Sequence, residues 1–123
     1  MEKKKVLIVD DEENVRHLVR SMLGKENIVL EAKDGEEAVH MARSHDLDFI
    51  LMDIMMPNMD GYTACHTIKR DPVTKAIPVV MLTALGQELN VKLSQEMGAD
   101  GHITKPFSSK MLLDTVNHFL ANP

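Results

Sequence analysis

Val6-Leu7-Ile8-Val9-Asp10-Asp11 sets four apolar residues in succession and then two acids. A strand with one wet face alternates apolar with polar residues, so an unbroken run of this kind suits a strand covered on both faces, as in a parallel sheet. Phe49-Ile50-Leu51-Met52 and Val79-Val80-Met81-Leu82 repeat the pattern, and Ile28-Val29-Leu30 is a shorter version. A fifth strand, around Asp100 to Thr104, is assigned mainly by its place in the alternation. Between the strands, apolar residues recur at helical spacing. Val15, Leu18, Val19, Met22 and Leu23 mark one helix, which Asp11 can cap and Gly24 can end. Asp34 followed by Glu37 is a capping-box variant opening a helix through Ala38, Met41 and Ala42. Further helices are expected near Tyr62 to Lys69, Leu89 to Met97 and Ser108 to Leu120. Strand and helix in alternation predict an α/β fold, a five-stranded parallel sheet with helices on both faces.

The chain has 123 residues, 14 Lys plus Arg and 19 Asp plus Glu, a net charge of −5. That length suits one domain, and no linker, repeat or low-complexity tract divides it, so residues 1–123 are read as a single unit. No apolar run approaches the roughly 20 residues of a membrane helix, and the basic start Lys3-Lys4-Lys5 is followed by too short an apolar run for a signal peptide. A negative chain with 3% aromatic residues is a poor candidate for direct nucleic-acid binding. The lone Cys65 has no partner for a disulfide, which suits a reducing, cytoplasmic setting. Its helical neighbours Ala64 and Ile68 favour packing over redox chemistry. His17, His40, His45, His66, His102 and His118 show no paired ligand spacing, which argues against a transition-metal site.

In an open parallel sheet, ligands bind beyond the carboxyl ends of the strands. Asp10 and Asp11 follow the first apolar run, Asp53 the third, Thr83 the fourth and Lys105 the fifth. Each has an ordinary alternative: Asp11 as a helix cap, Asp53 as the start of a loop, Thr83 as another cap, Lys105 as a solvated surface lysine. Together they describe a site. Three clustered carboxylates repel one another unless a cation joins them, and Mg²⁺ suits such oxygens while keeping room for a phosphoryl oxygen. A lysine and a hydroxyl opposite that cation are what a transferring phosphoryl group requires. The chain has no Gly-rich nucleotide-binding loop.

Val6 to Asp11, Met52-Asp53-Ile54-Met55-Met56-Pro57-Asn58-Met59-Asp60-Gly61, Leu82-Thr83-Ala84, Gly98-Ala99-Asp100 and Lys105-Pro106-Phe107 occur in this order. In this the chain resembles the receiver domain of two-component response regulators over nearly its whole length. The resemblance implies a flavodoxin-like, doubly wound sheet of order 2-1-3-4-5. It implies that Asp53 accepts a phosphoryl group from a phosphohistidine of a histidine kinase or phosphotransfer protein. Asp10, Asp11, Asp53 and the carbonyl of Met55 would hold Mg²⁺, while Thr83 and Lys105 would bind the phosphoryl oxygens. Pro106 would follow a cis bond. The switch would pass from Thr83 to the position three before the lysine. Relatives carry an aromatic residue there and this chain carries His102, so an exposed histidine without a switching role stays open. The switched surface would be the fourth helix, fifth strand and fifth helix, presented to a downstream protein by a monomer or weak dimer.

The resemblance also assigns Met55 and Leu85 to the flanks of the path by which water reaches the acyl phosphate. Both are apolar, which predicts slow self-dephosphorylation. Two other readings of the residues remain. A phosphohydrolase with an aspartyl-phosphate intermediate would carry its nucleophile in an Asp-x-Asp pair after the first strand, where this chain has Asp10 and Glu12. A phosphorylation-independent binding module would be expected to lack one of the acids or the lysine.

Overall fold

A computed structural model describes residues 3–84 and 88–121. The chain runs β1 (Lys4–Val9), α1 (Glu13–Leu23), β2 (Asn27–Ala32), α2 (Gly35–Ser44), β3 (Phe49–Asp53), α3 (Gly61–Arg70), β4 (Val79–Ala84), α4 (Glu88–Glu96), β5 (Gly101–Lys105) and α5 (Ser109–Ala121). All strand pairs are parallel, in the order β2-β1-β3-β4-β5, the doubly wound arrangement expected from the sequence.

Because successive strand residues point to opposite faces, the consecutive apolar runs feed two cores. Leu7, Val9, Ile50, Met52, Val79 and Met81 pack with Ala38 and Ala42 of α2 and with Ala64, Cys65 and Ile68 of α3. Val6, Ile8, Phe49, Leu51, Val80, Leu82 and Ile103 pack on the other face with Val19 and Leu23 of α1 and Leu112 and Val116 of α5. β1, β3 and β4 are the buried interior of the sheet. β2 lies at the edge, and its Ile28 is exposed.

Asp34 caps α2, accepting the Glu37 N–H at 2.8 Å, and Asp60 caps α3 through the Thr63 N–H at 2.8 Å. Gly24 stands at the end of α1, as expected. The start of that helix differs from the expectation. Its N-cap is Glu12, which makes no side-chain cap, and Asp11 does not serve as one. The Asp10 Oδ1 instead accepts the Glu12 N–H at 2.9 Å. Asp11 is thereby left exposed, with its carboxylate available to the site. Leu18, which fits the helical period, is also exposed; it borders a shallow apolar groove with Val15 and Phe107.

One glycine is needed for close approach near the carboxyl edge. A side chain at Gly61 would collide with the Asp53 carbonyl, and the Gly61 N–H donates to the Ile54 carbonyl at 2.8 Å. Gly61 thus lets α3 begin directly against the end of β3 and closes the loop that carries Met55.

Candidate functional site

The sheet register brings the strand-end residues together. Val9 pairs with Met52, so Asp10 and Asp53 leave adjacent strands at the same level. Asp53 pairs with Leu82, and Ala84 pairs with Lys105 across β4 and β5. By strand alternation, Asp10 continues the row of Val6 and Ile8, Asp53 that of Phe49 and Leu51, and Lys105 that of Ile103. These three charged residues therefore extend one face of the sheet, the face under α1 and α5. Thr83 continues the Val79 and Met81 row on the opposite face.

The carboxylates of Asp10, Asp11 and Asp53 each offer an oxygen within 4.8 Å of the others. Asp10 is fully buried, Asp53 nearly so and Asp11 exposed. Lys105 Nζ lies 3.2 Å from Asp53 Oδ1 and 3.3 Å from Asp10 Oδ2, one ammonium between two acids. Asp53 Oδ1 also accepts the Ile54 N–H at 3.0 Å. Burial first, and then the charge of Asp10, push the Asp53 pKa up to about 6, against the lowering effect of Lys105. Burial works to lower the Lys105 pKa, but Asp53 and Asp10 outweigh it and hold the ammonium above its ordinary value. The Thr83 hydroxyl, also buried, is the one buried side-chain oxygen or nitrogen without a hydrogen-bond partner among the described residues.

Asp11, Asp53, Met55, Ala84 and Lys105 line an open cleft at this edge, and the Met55 side chain stands in solvent. Of the two residues assigned to the water path, Met55 is therefore at the cleft, while Leu85 lies outside the described residues. A wider groove opens at the other end of the sheet among Ala42, His45, Leu47, Val73 and Pro78. It gathers none of the strand-end residues, so charge and chemistry mark the site where volume does not. His102 is exposed on β5, paired in register with Met81. The Lys105-Pro106 bond is cis. Cys65 is buried, and burial pushes its thiol up to about 11, which agrees with a packing role.

Three hard oxygen donors close enough to share one ion fit Mg²⁺ by donor type and charge. A nearly buried carboxylate between that cation position and a lysine suits attack on phosphorus. Reading the sequence alone missed Arg16, whose Nη1 donates to the Asp10 carbonyl oxygen at 2.7 Å. In sequence it is only a polar residue of an amphipathic helix.

Comparison with known proteins agrees with this chemistry. The family model for the response regulator receiver domain matches residues 6–117. A probable transcriptional regulator, ycf27, of Guillardia theta is 43% identical over 113 residues, 89% of this chain and 42% of that protein. The chemotaxis protein CheY of Halobacterium salinarum is 42% identical over 118 residues, 95% of this chain and 97% of that protein. The chain thus spans less than half of the first relative and nearly all of the second. Among solved structures, the receiver domain of a sensor histidine kinase from Pseudomonas aeruginosa PAO1, with a magnesium ion coordinated in its active-site cleft, superposes with a TM-score of 0.91. It is 25% identical, and the match covers 98% of this chain and 100% of that one. No helix among the described residues is long and apolar enough to cross a membrane.

Proposed function

The chain belongs to the response regulator receiver domain family, and on that premise we propose that Asp53 is its phospho-acceptor, fed by a phosphohistidine of a histidine kinase or phosphotransfer protein. The observation that carries this reading is the Asp53 carboxylate, 3.2 Å from Lys105 and within 4.8 Å of two further acids, at an open cleft. An Asp53 oxygen attacks phosphorus as the P–N bond breaks. The imidazole nitrogen leaves with the electron pair, and the product is an acyl phosphate. Asp10, Asp11, Asp53 and the Met55 carbonyl would hold Mg²⁺, which supplies positive charge to the phosphoryl oxygens when bound. Lys105 exchanges its contact with the Asp53 carboxylate for one with the phosphoryl group. Thr83, with a free hydroxyl at the same edge, donates to another phosphoryl oxygen.

In this reading, movement of Thr83 toward the phosphoryl group opens space behind it, and the responding position three before Lys105 is held by His102, which is exposed on β5. The surface of α4, β5 and α5 then changes for a downstream protein. Residues 1–123 act as one receiver unit, in the cytoplasm, as a monomer or weak dimer, without direct contact to nucleic acid or membrane. The same residues also promote hydrolysis of the acyl phosphate, slowed by the apolar Met55 at the cleft.

Incubation with acetyl phosphate and Mg²⁺, followed by intact-mass measurement, tests this directly. The expected result is a gain of one phosphoryl group in the parent and none in Asp53→Asn or without Mg²⁺. A parent that stays unmodified, or an Asp53→Asn variant that gains the group, would refute the assignment.

A further inference from the structure

Asp10 is held at every polar atom. Its N–H donates to the Ala32 carbonyl of β2 at 3.1 Å, Oδ1 accepts from Glu12 N and Oδ2 from Lys105. Its carbonyl oxygen, the acceptor in the peptide joining the two acids, takes the Arg16 Nη1 donor at 2.7 Å. Arg16 is in turn fixed through Nε, which donates to Glu31 Oε1 at 3.0 Å. The other oxygen of Glu31 receives Arg20, with Nη2 at 2.8 Å and Nε at 2.9 Å. Arg16 and Arg20 are four apart on α1 and share a helix face, while Glu31 sits on β2 opposite Ile8. Edge strand β2 thus reaches both main-chain polar groups of Asp10, one directly and one through Arg16.

We propose that Arg16, held by a Glu31 whose other oxygen Arg20 fixes, is a positioning residue that orients the Asp10-Asp11 peptide so that both carboxylates face one divalent cation. This rests on the reading of Asp10, Asp11 and Asp53 as the Mg²⁺ site. The planar guanidinium is suited to the task because it presents two donors in fixed relative directions, one to a carboxylate and one to a carbonyl. The peptide plane between residues 10 and 11 sets where the Asp11 side chain starts. Asp11 is exposed and its side chain makes no hydrogen bond among the described residues, so the peptide plane is its main constraint.

Position and charge predict opposite signs for the loss of Arg16. A guanidinium near the site repels a cation, so if Arg16 acted only by charge its removal would tighten Mg²⁺ binding. If it orients the turn, removal weakens binding.

The experiment is calorimetric titration of the 123-residue chain with MgCl₂, with thermal melts in metal-free buffer to confirm folding. The variants are Arg16→Ala, Arg16→Lys and Glu31→Gln, with Asp11→Asn as the ligand control. Arg16→Ala is expected to raise the Mg²⁺ dissociation constant about tenfold, the lower range for loss of a group supporting metal ligands. Arg16→Lys keeps the charge and loses the fork, and should recover only part of the affinity. Glu31→Gln keeps an acceptor oxygen and should weaken binding less than Arg16→Ala. Unchanged or tighter binding in folded Arg16→Ala, or full recovery by lysine, would overturn the positioning role while the Asp11→Asn loss upheld the site. If Arg16→Ala does not fold, Glu31→Gln decides, and parent affinity in that variant overturns the proposal. A parent that binds no Mg²⁺ overturns both the site and the clamp.

Discussion

The two ends of the sheet hold the same kinds of residue in opposite states of balance. At the amino end, Asp100 Oδ2 accepts both the Val79 N–H at 2.8 Å and Lys69 Nζ at 2.9 Å, and Lys69 donates again to the Ile77 carbonyl. Asp48 accepts the Lys5 N–H, and the buried Thr74 hydroxyl donates to the Ile68 carbonyl at 2.7 Å. At the carboxyl end, Asp10, Asp11 and Asp53 lie close together with one lysine, which contacts Asp10 and Asp53, and the buried Thr83 hydroxyl has no partner among the described residues. A fold normally satisfies its buried polar groups, so an edge left short of positive charge and of one acceptor is matched to something from outside the chain. The amino end holds the strands and helices together; under the proposed function, the carboxyl end is the one that would receive a cation and a phosphoryl group.

Exchanging the two ends by mutation gives the largest contrast. Asp53→Asn should abolish phosphoryl uptake from acetyl phosphate and raise stability in metal-free buffer by relieving repulsion with Asp10. Asp100→Ala should do the reverse, with uptake near the parent rate and a loss of about 1–3 kcal/mol from the Val79 N–H and Lys69 left without their acceptor. Intact mass and urea unfolding on both variants read the pair. If Asp100→Ala lost uptake and kept its stability, the division between the ends would fail.

The next effect is on pH dependence without metal. The folded pKa of Asp53, about 6, lies above its ordinary value of 3.8, so between these values the folded state binds the extra proton. The unfavourable contribution of the ionised group is complete above pH 6 and disappears as pH falls toward 4. It amounts to about 3 kcal/mol at most, from 1.36 kcal/mol per unit. Other carboxylates change stability over the same range. The informative quantity is therefore the difference between parent and Asp53→Asn in urea unfolding with a chelator present: it should shrink as pH falls from 7 to 4, and a constant difference would show that Asp53 is not raised.

Mg²⁺ should sharpen the contrast further. At ten times its dissociation constant, a ligand of the folded state alone adds about 1.4 kcal/mol. The melting temperature of the parent should rise accordingly and that of Asp11→Asn much less, whereas Asp100→Ala should keep the full response. Equal responses in the parent and Asp11→Asn would remove Asp11 from the site.

The smallest expected difference lies in the two threonines. Thr83→Val replaces an unpaired buried hydroxyl by a methyl of similar size and should stabilise by about 1 kcal/mol, whereas Thr74→Val, which strands the Ile68 carbonyl, should cost about the same. Denaturant midpoints in metal-free buffer compare them. Destabilisation of similar size in both would mean that the Thr83 hydroxyl has a partner after all.

Much of this contrast is legible in the chain itself. Consecutive apolar residues at Val6 to Val9, Phe49 to Met52 and Val79 to Leu82 announce strands buried on both faces, because no one-sided strand tolerates them. The first residues beyond those runs are then necessarily at one edge, which is why Asp10, Asp53 and Thr83 stand out before any coordinate is known. Asp34 and Asp60 act as caps through a reach of three residues, a purely local geometry. The same local rule fails at Asp11. Asp10 takes up the nearby Glu12 N–H while Arg16, from a full turn into α1, grips its carbonyl.

Sequence alone therefore determined the alternation of strands and helices, the strand ends and the kinds of chemistry placed there, since these follow from periodicity and residue type within a few positions. Tertiary structure decided which carboxylates share one space, which ammonium stands between them, and that Glu31 of an edge strand steadies Arg16 over the first acidic turn. These depend on sheet register and on helix α1 lying across β2. Such contacts join residues 15 to 95 apart in the chain, and their geometry is fixed only when both cores close.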